Sequence, residues 1–163
     1  MKYTVSIEIA VPRQDVVDLL SDPAQMPKWL RGLVLHEPVN GVHGHLGTTS
    51  RVVFQTGRQR MEATETITRV DPADLRAIPR SVVVHYDREI VGGGMWQAQR
   101  DRIIDAGPST TLWESESEFQ FDGLVMRLIA LLLPSMFRKQ SKQHMEDFKA
   151  FAEDGTDVRG RAN

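Results

Sequence analysis

The sequence predicts an α+β domain built from one antiparallel sheet, two short helices near the N-terminus and a long C-terminal helix. Three observations carry this. Segments with a hydrophobic period of two recur from residue 3 to residue 121. The turns between the later ones are too short for parallel crossovers. Beyond Asp122 the period changes to that of a helix and keeps it to about Glu153.

Tyr3, Val5, Ile7, Ile9 and Val11 alternate with Thr4, Ser6, Glu8 and Ala10, which makes a strand with one buried face. Pro12 ends it and opens a helix, where its missing N–H is tolerated, and Val16, Val17, Leu19 and Leu20 form the apolar side. Ser21-Asp22-Pro23 stops that helix and caps a shorter one, Ala24 to Leu30, which contributes Met26, Trp29 and Leu30. Six strands follow: Leu33–Val39, Thr48–Gln55, Arg60–Val70, Ser81–Val91, Met95–Asp105 and Thr110–Phe121. Gly57-Arg58, Asp71-Pro72-Ala73-Asp74, Gly92-Gly93-Gly94 and Ala106-Gly107-Pro108-Ser109 supply turns between them, so the sheet is a meander. The last helix begins at Asp122-Gly123, with a kink expected at Pro134. Residues 1–153 read as a single domain and 154–163 as a flexible tail.

Composition excludes several functions. The 163 residues hold no cysteine, which removes disulfides, Cys-ligated zinc and thiol catalysis. Lys+Arg 20 against Asp+Glu 22 leaves no basic field for nucleic acid. No secretory signal is visible, and the apolar run Leu128–Phe137 is too short to span a bilayer, so the expected location is the cytoplasm. Gly92-Gly93-Gly94 lacks the Lys-Ser/Thr of a phosphate loop, and Ser115 and Ser117 lack a glycine elbow. His43 and His45, with His36 upstream in the predicted strand Leu33–Val39, could offer nitrogen ligands, but the glycine-rich turn gives the pair no rigid frame. They read as a solvated loop, and neither metal nor cofactor is expected.

The element order and several local motifs resemble the START-like helix-grip superfamily, in its polyketide cyclase/dehydrase and lipid-transport (SRPBCC) branch. The motifs are Pro-x-x-Asp-Val-Val-Asp-Leu-Leu from Pro12 to Leu20, and Asp22-Pro23 with Pro27-x-Trp29. They continue with Thr66-Ile67-Thr68-Arg69-Val70-Asp71-Pro72 and Met145-Glu146-Asp147-Phe148-Lys149-x-Phe151-Ala152-Glu153. The resemblance implies a curved seven-stranded sheet gripping the long helix, with a ligand cavity between them. It supplies no universal catalytic motif.

Strand alternation sorts the residues that would line such a cavity. Met61, Ala63 and Glu65 share one face of the fourth strand; Val84, Tyr86 and Arg88 share one face of the fifth. Trp113, Ser115 and Phe119 lie together on the seventh. Neither face of the sixth strand is cleanly apolar, and the reading favours Trp96 and Arg100 inward. Trp29 from the second helix, with Leu128, Leu132 and Met136 from the last, completes the expected lining. Glu65, Tyr86, Arg88 and Arg100 are then the polar groups that meet inside, either orienting a ligand or simply pairing as Glu65–Arg88.

In the last helix Leu124, Val125, Met126, Leu128, Ile129, Leu131, Leu132, Leu133, Met136 and Phe137 cover nearly every side, where a cover helix needs only one stripe. Either neighbouring elements bury the remainder, or it offers a surface to a membrane or a second copy. The leading functional expectation is binding or transport of a small hydrophobic molecule: a lipid, an isoprenoid quinone or a polyketide-like compound. A cyclase or dehydratase using Glu65, the only catalytic candidate, with Tyr86 or Arg88 is the alternative. An interaction protein using the Leu124–Phe137 surface is a third reading.

Overall fold

A computed structural model describes residues 1–132 and 134–161, without the side chains of Met126, Ala130 and Arg161. Strand β1 (Lys2–Ile9) leads into helix α1 (Arg13–Ser21) and the single turn α2 (Met26–Trp29). Strands β2 (Leu33–Asn40), β3 (Thr49–Thr56), β4 (Gln59–Asp71), β5 (Val84–Gly92), β6 (Met95–Gly107) and β7 (Thr110–Phe121) follow. All pairs are antiparallel, in the spatial order β1-β7-β6-β5-β4-β3-β2, so the meander from β2 to β7 is completed by β1 along the outer side of β7.

The long C-terminal helix is described in two stretches, α3 (Leu124–Leu132) and α4 (Pro134–Asp154), on either side of Leu133. Leu133, counted above in the apolar surface, lies outside the described residues, as does the side chain of Met126. Strand β5 begins three residues later than the alternation suggests. The preceding residues are held as a loop by Arg13, which is 3% exposed. Its guanidinium donates to the carbonyls of Ile78 and Pro79, both at 2.9 Å, and to that of Val82. Val158 in a 3-10 turn (Val158–Arg161) is buried and approaches α2, so the segment expected to be a free tail carries an apolar anchor.

α4 crosses the concave face of the curved sheet and packs against β1. Phe148, fully buried, meets Trp29 and Trp113 edge-on at 5.1 and 5.3 Å between centroids. Val16, Val17, Ile9 and Met145 close around this aromatic centre. A smaller cluster, Phe119, Phe121 and Phe137, lies where β7 passes into α3. Between the two clusters the sheet and α4 stand apart, and a cavity remains.

Candidate functional site: an internal cavity with a buried charge cluster

The cavity encloses about 610 Å³, a volume suited to a small organic molecule. Its apolar wall includes Val5, Met26, Val52, Phe54, Ile90 and Met145, with Trp29, Trp113 and Phe119. Thr56, Gln59, Arg60, Met61, Met95 and Phe137 also line it, at the end of the sheet where the β3–β4 and β5–β6 turns lie. α4 adds Gln140, Ser141 and His144, and the Ser141 hydroxyl is 2.9 Å from that of Tyr3.

Five charged or polar side chains converge at the wall. His36 Nε2 lies 2.9 Å from Glu65 Oε1, with both side chains under a tenth exposed. Arg88 reaches Glu65 at 3.8 Å and Asp101 at 3.5 Å. Gln99 donates its amide to Asp101 at 3.2 Å. Burial pushes the Glu65 carboxyl up, but the His36 hydrogen bond and the Arg88 charge outweigh it and hold the group below the usual carboxylate range. A carboxylate only accepts, so His36 donates its Nε2–H to Glu65. Arg88 loses hydration yet stays firmly cationic, because Glu65 and Asp101 both face it. His144 is pushed down by burial, with the Arg88 and Arg31 charges acting in the same direction.

Several buried donors lack an acceptor among the described residues: Trp29 Nε1, Trp113 Nε1 and Arg88 Nε. All three belong to side chains that line the cavity. Buried N–H groups are ordinarily paired, and these three nitrogens are covered within the wall, not open to the cavity.

Of the six elements the sequence reading assigned to the lining, α2, β4, β5 and β7 bring named side chains to it, and β6 and the C-terminal helix bring others instead. Trp29, Met61, Glu65, Arg88, Trp113, Ser115 and Phe119 line the cavity as expected. Ala63 shares their inward face and is buried. Val84 and Tyr86 line a narrower recess on the other side of Arg88, together with Val17, Leu20 and Asp101. There burial drives the Tyr86 hydroxyl up to about 12.

Trp96 and Arg100 face outward. Met95, Gln97 and Gln99 occupy the cavity wall in their place. Arg100 instead bridges Glu116 at 2.9 Å and Glu118 at 3.0 Å, and Trp96 donates to Glu89 at 3.2 Å. The cause is a bulge. Gly107 pairs with Thr110 but Asp105 with Thr111, so Ala106 is the extra residue. Without it Ile104 would oppose Trp113; with it Ile103 does, and the whole strand turns over.

Leu128, Leu132 and Met136 do not reach the cavity: they are 51%, 75% and 51% exposed. α4 lines it through Phe137, Gln140, Ser141, His144 and Met145 instead.

His36 is a wall residue that the sequence reading did not name in the lining. A second bulge, between Leu33 and Leu35 in β2, resets the alternation and sets His36 opposite Val52, on the inward face. His43 also folds back, its ring 5.0 Å from that of His36, and burial lowers its pKa. Among the described residues no cluster of three His, Asp, Glu or Cys side chains could hold a metal ion.

Residues 1–153 match the family model described as polyketide cyclase / dehydrase and lipid transport. The chain belongs to that family. No curated protein matches its sequence. In fold, this family member is similar to a START superfamily protein from Mycobacterium smegmatis: TM-score 0.74, 14% identity, 95% of this chain and 99% of that one covered. It is similar to the Zhui aromatase/cyclase from Streptomyces sp. R1128, with a TM-score of 0.72, 13% identity and coverage of 94% and 93%. A truncated norcoclaurine synthase from Thalictrum flavum gives 0.67 at 15% identity, with 94% of each chain covered. At such identities the likeness is one of fold, and it bears out the helix-grip architecture. Membership gives the chain a START-like ligand-binding or cyclase-type role, and the cavity is where that role has room to act.

Proposed function

We propose that the protein binds and carries a small hydrophobic molecule of lipid, isoprenoid-quinone or polyketide type. In this reading the apolar body of the guest lies among Trp29, Val52, Phe119 and Met145, and its carbonyl or hydroxyl oxygens lie near Arg88 and Ser115. The observation that carries it is an approximately 610 Å³ apolar-walled cavity with a few polar groups, Arg88, Ser115 and Gln99 among them, in its lining. Carriage is favoured over turnover by the state of Glu65. A general base works best with a pKa near the working pH, and His36 with Arg88 hold this carboxyl below even its ordinary value. The location we propose is the cytoplasm, with no cofactor required.

One arrangement favours the second reading, a cyclase or dehydratase. The buried His36–Glu65 pair, 2.9 Å apart in the cavity wall, is an imidazole oriented by a carboxylate beside a cation that could polarise a carbonyl. Tyr86, in the adjoining recess, remains a hydrogen-bond donor throughout the neutral range.

Native mass spectrometry of the protein purified from its own host tests the first reading. A co-purifying apolar molecule is expected, and it should bind more weakly to Arg88→Met. A protein recovered empty, which also takes up no lipid, quinone or polyketide offered to it, refutes the proposal. If the recovered molecule is chemically altered by the wild type but not by Glu65→Gln, the second reading replaces the first.

A further inference from the structure

Apart from the cavity, α3 presents a run of exposed apolar side chains. Leu124, Val125, Leu128, Leu131 and Leu132 are between 51% and 80% exposed on this one stretch. Such a patch is costly in water and marks a contact surface.

Charge indicates what covers it. From Gly123 to Met145 there is no acidic residue, although the chain as a whole holds more acids than bases. The same stretch carries Arg127, Arg138, Lys139 and Lys142, all exposed. Topology adds to this. In the antiparallel meander the β3–β4 turn, the β5–β6 turn and the start of α3 all lie at one end of the sheet. The Asp122 N–H donates to the Gly94 carbonyl at 2.8 Å and ties α3 to the β5–β6 turn. Gly92, at that turn, lies so close to β4 that a Cβ there would run into the Glu62 carbonyl oxygen. Met61 and Arg60 at this end line the cavity and are themselves exposed. Apolar helix, cations and cavity rim are therefore contiguous.

We propose that this end of the molecule docks onto an anionic lipid bilayer, with α3 lying in the interface. The apolar stretch Leu124–Leu132 extends only about 14 Å, roughly half of a hydrocarbon core, so it can lie along the bilayer surface and not across it. Among the described residues no helix is long and apolar enough to cross a membrane. Leucines on one side with lysine and arginine beside them match the apolar and phosphate layers of that surface. A second copy fits less well, because a two-fold contact through α3 brings the same cations against one another. The proposal holds whether the cavity carries or converts its guest.

The test is flotation of the full chain with phosphatidylcholine vesicles, with and without phosphatidylglycerol. The protein should float with the anionic vesicles and be released by salt. Leu131→Glu with Leu132→Glu should abolish flotation. Lys139→Gln and Lys142→Gln should each weaken it by about fivefold, while uptake of a fluorescent apolar probe by the cavity stays at the wild-type level. The lysine variants alter only exposed side chains and decide the matter even if the leucine pair fails to fold. Absence of flotation, or flotation indifferent to phosphatidylglycerol and to the lysine variants, overturns the proposal. So does a dimer in light scattering that Leu132→Glu dissolves.

Discussion

Replacing Arg88 by methionine keeps the volume of the side chain and removes the cation between Glu65 and Asp101. At an effective dielectric of about 20, contacts of 3.8 and 3.5 Å are each worth roughly 4 kcal/mol of attraction, before the cost of desolvating the charges. All three side chains are at most 13% exposed, so solvent cannot replace the missing partner. The expected loss of stability at neutral pH is about 3–5 kcal/mol, the range for breaking a buried pair from one side. With a urea dependence of about 2 kcal/mol per molar, the unfolding midpoint should fall by roughly 1.5–2.5 M. The pH dependence gives a sharper test. In the wild type Glu65 is held below its unfolded value, so its contribution is complete above about pH 4.3 and is lost as pH falls through the folded pKa. Without Arg88 the burial of Glu65 pushes its carboxyl upward, and the penalty is largest at high pH. The difference between wild type and variant should therefore shrink as pH falls from about 8 toward 5. Adding Glu65→Gln to Arg88→Met should recover part of the loss. A difference below about 1 kcal/mol, as for an exposed pair, or one constant across this pH range, would refute the reasoning.

Gln97→Trp should fill the cavity and block uptake of a fluorescent apolar probe, whereas Trp96→Ala, on the outer face, should leave uptake intact; the reverse pattern would restore the other face of β6. Phe148→Ala removes the ring packed between Trp29 and Trp113 and should cost about 3–5 kcal/mol, seen as a fall in Tm of roughly 10 °C or more. A change of only a degree or two would mean that the aromatic centre contributes little to stability.

Most of the architecture was legible because period-two alternation and turn chemistry are local. Thr110–Phe121 appears with the same limits in the sequence reading and the structure, since Trp113, Ser115, Ser117, Phe119 and Phe121 alternate without interruption against glutamates. Glu65 and Arg88 were placed inward by the same logic and do meet, at 3.8 Å. Two of the errors share a cause. Ala106 in β6 and the irregularity after Leu33 in β2 each shift the pairing register by a residue, and one residue reverses every side chain beyond it. That reversal brought in Gln97, Gln99 and His36 and turned out Trp96 and Arg100.

Composition, alternation and the Pro and Gly boundaries by themselves determined a cysteine-free, near-neutral α+β domain with a meander sheet, and the inward placement of Glu65, Arg88 and Trp113. Only the tertiary structure decided which face of β6 and which histidine meet Glu65, because a bulge is specified by the partner strand as much as by its own residues. It also decided that α3 stays uncovered. Whether an apolar helix finds a partner depends on where the chain returns, and here α4 crosses the sheet while the leucines of α3 are left facing outward.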